Sequence, residues 1–264
     1  MDERGSRWSS AAAALLAAEC SRVPVAPLAA QPPGLTLEDA YRIQAAGVAR
    51  RIAEGAHVVG HKVGLTSQAM QEQLGMNEPD SGVLLDDMVV PSGSTLLRGD
   101  FIAPRVEAEI AFRLGRDLQG PHVTPEAARS AVSGVRLALE VIDTRFGGWQ
   151  ITVADSIADN ASCAMVVTGS MIGLDPAWDL AAEQLVVTVN GQRAATGEGR
   201  AVMGDPFHPL AWLANRLSAV TSAQPLRAGD LVLAGAVHAS LPLQAGTSVR
   251  VVSPHLPPVQ LHVT

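Results

Sequence analysis

The chain has little of what marks secreted, membrane-spanning or nucleic-acid-binding proteins. Its two cysteines in 264 residues are too few for a disulfide framework, and the Cys/His spacing of a zinc site does not occur. The apolar stretch from Ala11 to Ala18 is far shorter than the roughly 20 residues that a membrane span needs. A net charge of −7 disfavours nucleic acid or an anionic membrane as the main partner. We therefore expect a cytoplasmic protein that binds neither.

Charge is sparse in this sequence, whereas apolar residues are plentiful. Charged residues make up 17% of the chain and hydrophobic residues 47%, which indicates a well-buried globular protein rather than a disordered one. The low charged fraction also suggests that some surface is buried between subunits, so we expect a homo-oligomer. Because the net charge is negative, a small anionic substrate would need a local cation or a bound metal to attract it.

The apolar pattern changes from helical to β near residue 56. Good helix formers over 9–20 predict a first helix, and Thr36 followed three residues later by Asp39 predicts the start of a second. Beyond it, short apolar runs alternate with turns, with a few helices between them. The sequence thus predicts an α+β protein, in which a helical part over 1–55 and a β-rich part over 56–264 form one continuous domain.

Several strands can be placed within the β-rich part. Residues 106–114 alternate with a period of two and are the clearest strand, and 135–142 form a second. Residues 94–101 are a weaker strand candidate. Asn190-Gly191 between two apolar runs predicts a hairpin with a type I′ turn.

Two glutamates, Glu107 and Glu109, interrupt the clearest strand. Residues two apart on a strand point to the same face, with their backbones roughly 7 Å apart. Two carboxylates on one face of an apolar strand repel each other and require a cation. The alternative is an exposed edge strand whose acids are solvated, and Glu-x-Glu alone favours that alternative.

A third carboxylate, Glu140, stands alone in the apolar strand Leu137–Ile142. An unpaired buried carboxylate costs several kcal/mol, so a partner is expected. Three glutamates on neighbouring strands would form an all-oxygen site suited to Mg²⁺ or Mn²⁺. The alternative is a salt bridge from Glu140 to Arg136 or Arg145.

Lys62 lies inside a short apolar strand bounded by glycines, Gly60-His61-Lys62-Val63-Gly64. Burial lowers the pKa of a lysine, which would make Lys62 a useful proton carrier. The alternative is that Lys62 only neutralises a nearby carboxylate, and the two interpretations overlap if the glutamates lie close by.

Three further segments are weaker candidates. Residues 78–84, which include Asp80, read as a turn that leads into a strand. Residues 155–162, which end in Ser162, are polar and turn-rich, and we interpret them as a binding loop. His238 follows an apolar strand, where a site residue and a plain strand-end histidine are equally reasonable.

Taken together, these segments resemble the hydratase/decarboxylase branch of the fumarylacetoacetate hydrolase superfamily. The resemblance covers nearly the whole chain, and the order and spacing of its motifs are specific although each motif is modest. The segments that carry it are Gly60-His61-Lys62-Val63-Gly64-Leu65-Thr66-Ser67, Pro79-Asp80-Ser81-Gly82, Glu107-Ala108-Glu109, Glu140-Val141-Ile142-Asp143 and Asp159-Asn160-Ala161-Ser162.

The resemblance implies a mixed β-rich roll, a homo-oligomer and a set of site residues. It implies Lys62 and Asp80 as catalytic residues and Ser162 as a substrate-binding residue in the same pocket. We add His238 as a second candidate for substrate binding. It implies Mg²⁺ or Mn²⁺ held by Glu107, Glu109 and Glu140. After Ser162, Cys163 stands where relatives commonly have a serine or glycine, which would alter the pocket wall.

The implied activity is metal-dependent hydration of a 2-hydroxy-2,4-dienoate of the 2-keto-4-pentenoate type to a 4-hydroxy-2-oxo acid, in meta-cleavage catabolism of aromatic or steroid rings. A pathway aldolase or decarboxylase would be a candidate protein partner. The nearest rival is a 4-oxalocrotonate-type decarboxylase, because the sequence Gly235-Ala236-Val237-His238-Ala239-Ser240 is intermediate between the forms typical of the two enzymes. A C–C bond hydrolase and a non-catalytic structural subunit are more distant rivals.

Overall fold

Two β-sheets and six α-helices make up the part of the chain that the computed structural model describes, residues 3–31, 33–220 and 225–264. The helices are α1 Glu3–Ser21, α2 Leu37–Ala53, α3 Gln68–Leu74, α4 Pro125–Ala131, α5 Val153–Ala158 and α6 Phe207–Ala219. The strands are β1 Val58–Gly64, β2 Asp80–Leu85, β3 Val89–Pro91, β4 Thr95–Leu96, β5 Arg105–Leu114, β6 Val132–Ile142, β7 Cys163–Thr168, β8 Gln184–Val189, β9 Gln192–Glu198, β10 Leu231–Ala236, β11 Leu241–Pro242, β12 Thr247–Val252 and β13 Val259–Val263.

The larger sheet has the strand order β2-β1-β10-β5-β6-β7-β3, and the short strand β11 also pairs with β5. Parallel and antiparallel pairs are mixed in it, which confirms the predicted α+β class with a mixed, β-rich body. The antiparallel pair β5–β6 lies at its centre and is its longest ladder. Both strands are buried along almost their whole length, because the sheet is covered on both faces.

The second sheet has the order β4-β13-β12-β8-β9 and covers one face of the larger sheet. Its hairpin β8–β9 turns at Asn190 and Gly191, whose φ values of 50° and 80° agree with the predicted type I′ turn. The main apolar core lies between the two sheets and takes every second residue of β5 and β6. Its members include Val106, Ala108, Ile110, Leu137, Leu139, Val141, Val249 and Leu261.

The opposite face of the larger sheet is covered by α1, α2 and α5. The predicted N-cap of α2 is present, since Thr36 and Asp39 form a capping box. A second apolar cluster joins side chains of the N-terminal helices, such as Leu15 and Ile43, to Ile142 and Ile157 of the β-rich part. The boundary at residues 55 and 56 lies between α2 and β1, and the division into 1–55 and 56–264 stays a prediction.

Two local predictions were wrong, one of them in part. Of the segment 155–162 interpreted as a loop, only the end is a turn: 153–158 form α5, because Thr152 and Asp155 build a capping box that starts a helix. Of the strand candidate 94–101, only β4 is extended, and a helical turn follows it. Among the helices of the described residues, none is long and apolar enough to cross a lipid bilayer.

Candidate active site

Glu107, Glu109 and Glu140 lie together on the helix-covered face of the larger sheet. Glu107 of β5 pairs directly with Glu140 of β6, and Glu109 lies two residues farther along β5. One carboxylate oxygen from each of the three lies within 4.8 Å of the others. Their exposed fractions are 3%, 0% and 0%. The exposed edge strand considered as an alternative is therefore wrong, since β5 is central and these acids are buried.

These carboxylates have too few hydrogen bonds for their burial. Gly235 donates its N–H to Glu109 Oε2 at 2.7 Å. Within the described residues, Glu107 Oε1, Glu109 Oε1 and both oxygens of Glu140 have no hydrogen-bond partner. Burial and the negative neighbour Glu140 raise the pKa of Glu107 to about 8 and that of Glu109 well above its usual value.

An all-oxygen set of this kind fits a hard divalent cation. Buried carboxylates without donors are costly unless a cation compensates them, and Mg²⁺ and Mn²⁺ prefer oxygen ligands. The three oxygens lie close enough together for the residues present to hold such an ion. The salt bridge proposed as the alternative for Glu140 is absent among the described residues, where Arg145 pairs instead with Asp159.

Lys62 supplies the nearest positive charge. Its Nζ lies 3.4 Å from Glu140 Oε1 and 4.0 Å from Asp80 Oδ1, and the side chain is 3% exposed. Burial alone would lower the pKa of Lys62, but the carboxylates of Glu140 and Asp80 raise it. The sequence-based expectation of a lowered pKa was therefore wrong in direction, because it could not include these two neighbours. Lys62 is an ammonium group and the only lysine in the chain.

Asp80 begins β2 and faces Lys62 from the neighbouring strand. Asp80 pairs with Gly64 of β1 in the antiparallel ladder, and its carboxylate is buried. Ser156 of α5 donates a hydrogen bond to Asp80 Oδ2 at 2.6 Å. A Cβ atom at position 64 would lie only 2.2 Å from Asp80 Oδ1, so the approach of these groups requires glycine there.

Ser162 is held in place by a left-handed turn. Asn160, Ala161 and Ser162 have φ values of 54°, 52° and 56°, a conformation that costs roughly 1–2 kcal/mol per residue outside glycine. The side-chain amide of Asn160 compensates by bonding both the N–H and the carbonyl of Val83 in β2. The Ser162 hydroxyl is buried and finds no hydrogen-bond partner in the described part of the chain.

A small cavity of about 20 Å³ joins these groups. That volume holds one water molecule, which needs about 10–15 Å³. Its polar wall comprises Lys62, Asp80, Glu107, Ser156 and Ser162, and its apolar wall comprises Leu65, Met70, Leu74, Ile142, Ala161 and Trp149. Four of the residues singled out from the sequence thus meet around one cavity, beside the glutamate cluster.

His238 lies apart from this cavity wall. Its Nε2 accepts a hydrogen bond from the N–H of Ala108 at 3.2 Å, which leaves Nδ1 to donate to the carbonyl of Ala239 at 2.7 Å. With both ring nitrogens bonded to backbone, this geometry favours the strand-end histidine over the substrate-binding residue.

Sequence reasoning missed Ser156, which borders the cavity and contacts Asp80. It lay within the segment interpreted as a loop, and no signal in the sequence pairs it with Asp80. The reasoning also overlooked that Lys62 is the only lysine among 264 residues. A single lysine, placed in an apolar strand, is less typical of a solvated surface cation than of a site residue.

Comparisons with known proteins find relatives over most of the chain. The family model described as fumarylacetoacetate (FAA) hydrolase, C-terminal, matches residues 49–264. The chain is 42% identical over 225 residues to a 2-hydroxyhexa-2,4-dienoate hydratase of Comamonas testosteroni, with 84% of each protein covered. It is 41% identical over 204 residues to a 2-hydroxypent-2,4-dienoate hydratase of Pseudomonas putida, with 77% of this chain and 92% of the relative covered.

Among solved structures, the fold is similar to that of 4-oxalocrotonate decarboxylase from Pseudomonas putida G7, complexed with magnesium and adipate. The TM-score is 0.93 and the sequence identity 30%, with 98% of both chains covered. A fumarylpyruvate hydrolase from Pseudomonas aeruginosa, in complex with Mn²⁺ and pyruvate, has a TM-score of 0.60 at 18% identity, which shows a shared fold alone.

Proposed function

Because the chain belongs to the fumarylacetoacetate hydrolase family and its relatives include hydro-lyases, we propose that it hydrates a 2-hydroxy-2,4-dienoate to a 4-hydroxy-2-oxo acid with the help of Mg²⁺ or Mn²⁺. The observation that carries the proposal is the cluster of three buried glutamates beside Lys62 and a water-sized cavity. The setting would be meta-cleavage catabolism, and the enzyme would act as a homo-oligomer.

Glu107, Glu109 and Glu140 would hold the divalent ion. When bound there, such an ion would act as a Lewis acid toward the carboxylate and C2 oxygen of the substrate. This leaves proton movement to the chain's own residues, which face the same cavity.

Lys62, Asp80 and Ser162 would share the proton transfers and orientation. The dienol loses its hydroxyl proton and gains one at C5, and the Lys62 ammonium is the donor placed closest to the cluster. Water then forms a bond to C4 while a proton arrives at C3, and Asp80 Oδ1 is free to accept the proton that water releases. The unpartnered hydroxyl of Ser162 would hydrogen-bond the substrate.

Metal dependence tests this proposal. Metal-stripped protein should not consume 2-hydroxypenta-2,4-dienoate, and added Mg²⁺ or Mn²⁺ should restore turnover. Glu140→Gln should weaken metal affinity by more than the roughly 10–100-fold that loss of an outer-shell partner costs. Glu198→Gln is the matched control, since Glu198 is half-exposed and pairs with Arg200 in the other sheet. Equal turnover without metal, or wild-type metal affinity in Glu140→Gln, would contradict the proposal.

A 4-oxalocrotonate-type decarboxylase is the second candidate, favoured by the close structural similarity to that enzyme. Both reactions withdraw electrons toward the C2 oxygen of the substrate, so one scaffold can host either. Release of CO₂ from 4-oxalocrotonate, with no turnover of the dienoate, would select the decarboxylase.

A further inference from the structure

Asp80 is held by one hydrogen bond that leaves its other oxygen free. The residue is 1% exposed, and Oδ2 accepts from the Ser156 hydroxyl at 2.6 Å. Oδ1 has no hydrogen-bond partner in the described ranges and lies 4.0 Å from Lys62 Nζ. Because a buried carboxylate with one donor can rotate unless that donor is fixed, the orientation of Asp80 depends on where Ser156 is held.

Helix α5 holds Ser156 rigidly. Asp155 completes the capping box with Thr152 and also accepts the N–H of Ala29 at 2.9 Å. One residue beyond Ser156, the carbonyl of Ile157 accepts a hydrogen bond from the side chain of Gln44 in α2 at 3.0 Å. The position of the Ser156 hydroxyl is therefore fixed from two neighbouring elements.

The hydroxyl of Ser156 is directed differently from that of an ordinary helical serine. Serine inside a helix commonly donates to the carbonyl four residues earlier, as Ser130 does to Glu126 at 2.8 Å. Ser156 instead donates outward to Asp80, and it borders the same cavity as Lys62.

We propose that Ser156 is a positioning residue, whose hydroxyl holds Asp80 Oδ2 so that Oδ1 faces Lys62 and the water that attacks C4. The proposal rests on the proposed hydratase function. It assigns Ser156 to hydration, the second of the two chemical steps, and not to ketonisation. Ketonisation moves a proton from the C2 hydroxyl to C5 without changing composition. Hydration adds one water, whose oxygen bonds C4 while one proton passes through Asp80 and reaches C3.

Steady-state kinetics with product analysis give the first test. Ser156→Ala should lower kcat for hydration about 10–100-fold, within the range of acid–base contributions, and leave KM within about threefold. Because ketonisation continues, the ketonised intermediate 2-oxopent-3-enoate should accumulate. Ser156→Thr, which keeps a hydroxyl, should recover most of kcat, and Ser130→Ala should behave as wild type. Equal loss of both steps in Ser156→Ala would overturn the positioning role.

A double-mutant cycle tests whether Ser156 acts through Asp80. In an Asp80→Asn background, adding Ser156→Ala should change kcat by less than about twofold, because residues that act as one unit are non-additive. Independent, additive losses would overturn the proposal.

Lys62 offers a readout that does not need turnover. As the only lysine, it gives a single side-chain signal when the protein is grown on lysine labelled with carbon-13 at Cε. Ser156→Ala should shift that signal, because Asp80 turns, and Ser130→Ala should not. An unshifted signal would overturn the positioning role even if the protein hydrates dienoates. A shifted signal in a protein that hydrates no dienoate would instead uphold the geometry and refute the proposed function.

Discussion

Gly64 lies at the most crowded point of the site. A Cβ atom there would lie 2.2 Å from Asp80 Oδ1 and 2.9 Å from Lys62 Nζ, both closer than real side-chain carbons approach such atoms. The carboxylate and the ammonium group can face each other across β1 and β2 only because this position has no side chain. The geometry of the site therefore depends on Gly64, although this residue has no side chain that could take part in the reaction.

Gly64→Ala should disable the site without unfolding the protein. Displacement of Asp80 or Lys62 by about 1 Å is expected to lower kcat/KM roughly 100-fold. Gly99→Ala is the matched control, because a Cβ at position 99 meets no atom of the described residues within 4 Å. The measurement is kcat/KM beside the thermal midpoint of each variant. A fully active Gly64→Ala protein would show that the distance between these groups does not matter.

At the scale of elements, α3 forms one side of the cavity. Met70 and Leu74 of α3 belong to the cavity wall, so the position of this short helix affects the space beside Lys62 and Asp80. The side chain of Gln73 ties α3 to Ser240: it accepts from Ser240 N and Oγ at 2.9 Å each and donates to the Ser240 carbonyl at 3.1 Å.

Gln73→Ala should loosen α3. Amide hydrogen exchange over residues 68–74 should become faster by about tenfold, since a hydrogen bond contributes on the order of 1 kcal/mol. KM should rise severalfold, because Met70 and Leu74 would then be held less firmly in the wall beside the substrate. Gln68→Ala is the control on the same helix, because the Gln68 amide donates to Glu72, four residues later in α3 itself. Identical exchange in the two variants would show that Gln73 does not restrain α3.

Some helices and strands were predictable from the sequence, and others were not. The strands β5 and β6 and the capping box at Thr36 were predictable, because a period of two, an apolar run and a cap are local signals. The helix α5 was not, because Asp155 and Ser156 read as loop residues until their tertiary partners Ala29 and Asp80 are known. Likewise, the raised pKa of Lys62 depends on Glu140 across the sheet.

At the scale of the whole molecule, the two faces of the larger sheet differ in role: one face forms the apolar core, and the other carries the site. Alternate residues of β5 and β6 build the core against the second sheet, and this core stabilises the fold. The residues between them place Glu107, Glu109 and Glu140 toward the N-terminal helices. Strand alternation predicted which residues share a face, whereas the pairing of Glu107 with Glu140 required the sheet order, which sequence alone does not contain.

His61 should make an unfavourable contribution to the free energy of folding in mild acid. The side chain is 3% exposed, and burial lowers the pKa of His61 from 6.5 to about 4. As the pH falls below about 6.5, His61 therefore binds a proton in the unfolded chain but stays neutral in the folded protein. Stability from this group is fully present above that pH, and about 2 kcal/mol of it is lost by pH 5.

Urea unfolding of wild type and His61→Gln checks this prediction. Between pH 7.5 and pH 5, the change in the free energy of unfolding should be about 2 kcal/mol more favourable to the folded state in the variant than in wild type, because both proteins share all other titrating groups. His57→Gln is the control, since the His57 side chain is 79% exposed. The same pH dependence in wild type and His61→Gln would contradict the assignment.

The most direct test of the central claim is the product formed from 2-hydroxypenta-2,4-dienoate in water labelled with heavy oxygen, with Mg²⁺ present. Our account predicts 4-hydroxy-2-oxopentanoate whose C4 hydroxyl carries the label, located by fragmentation in the mass spectrometer, and no CO₂. Unchanged dienoate, together with CO₂ released when 4-oxalocrotonate is supplied instead, would contradict the hydratase and leave the three glutamates serving a decarboxylase.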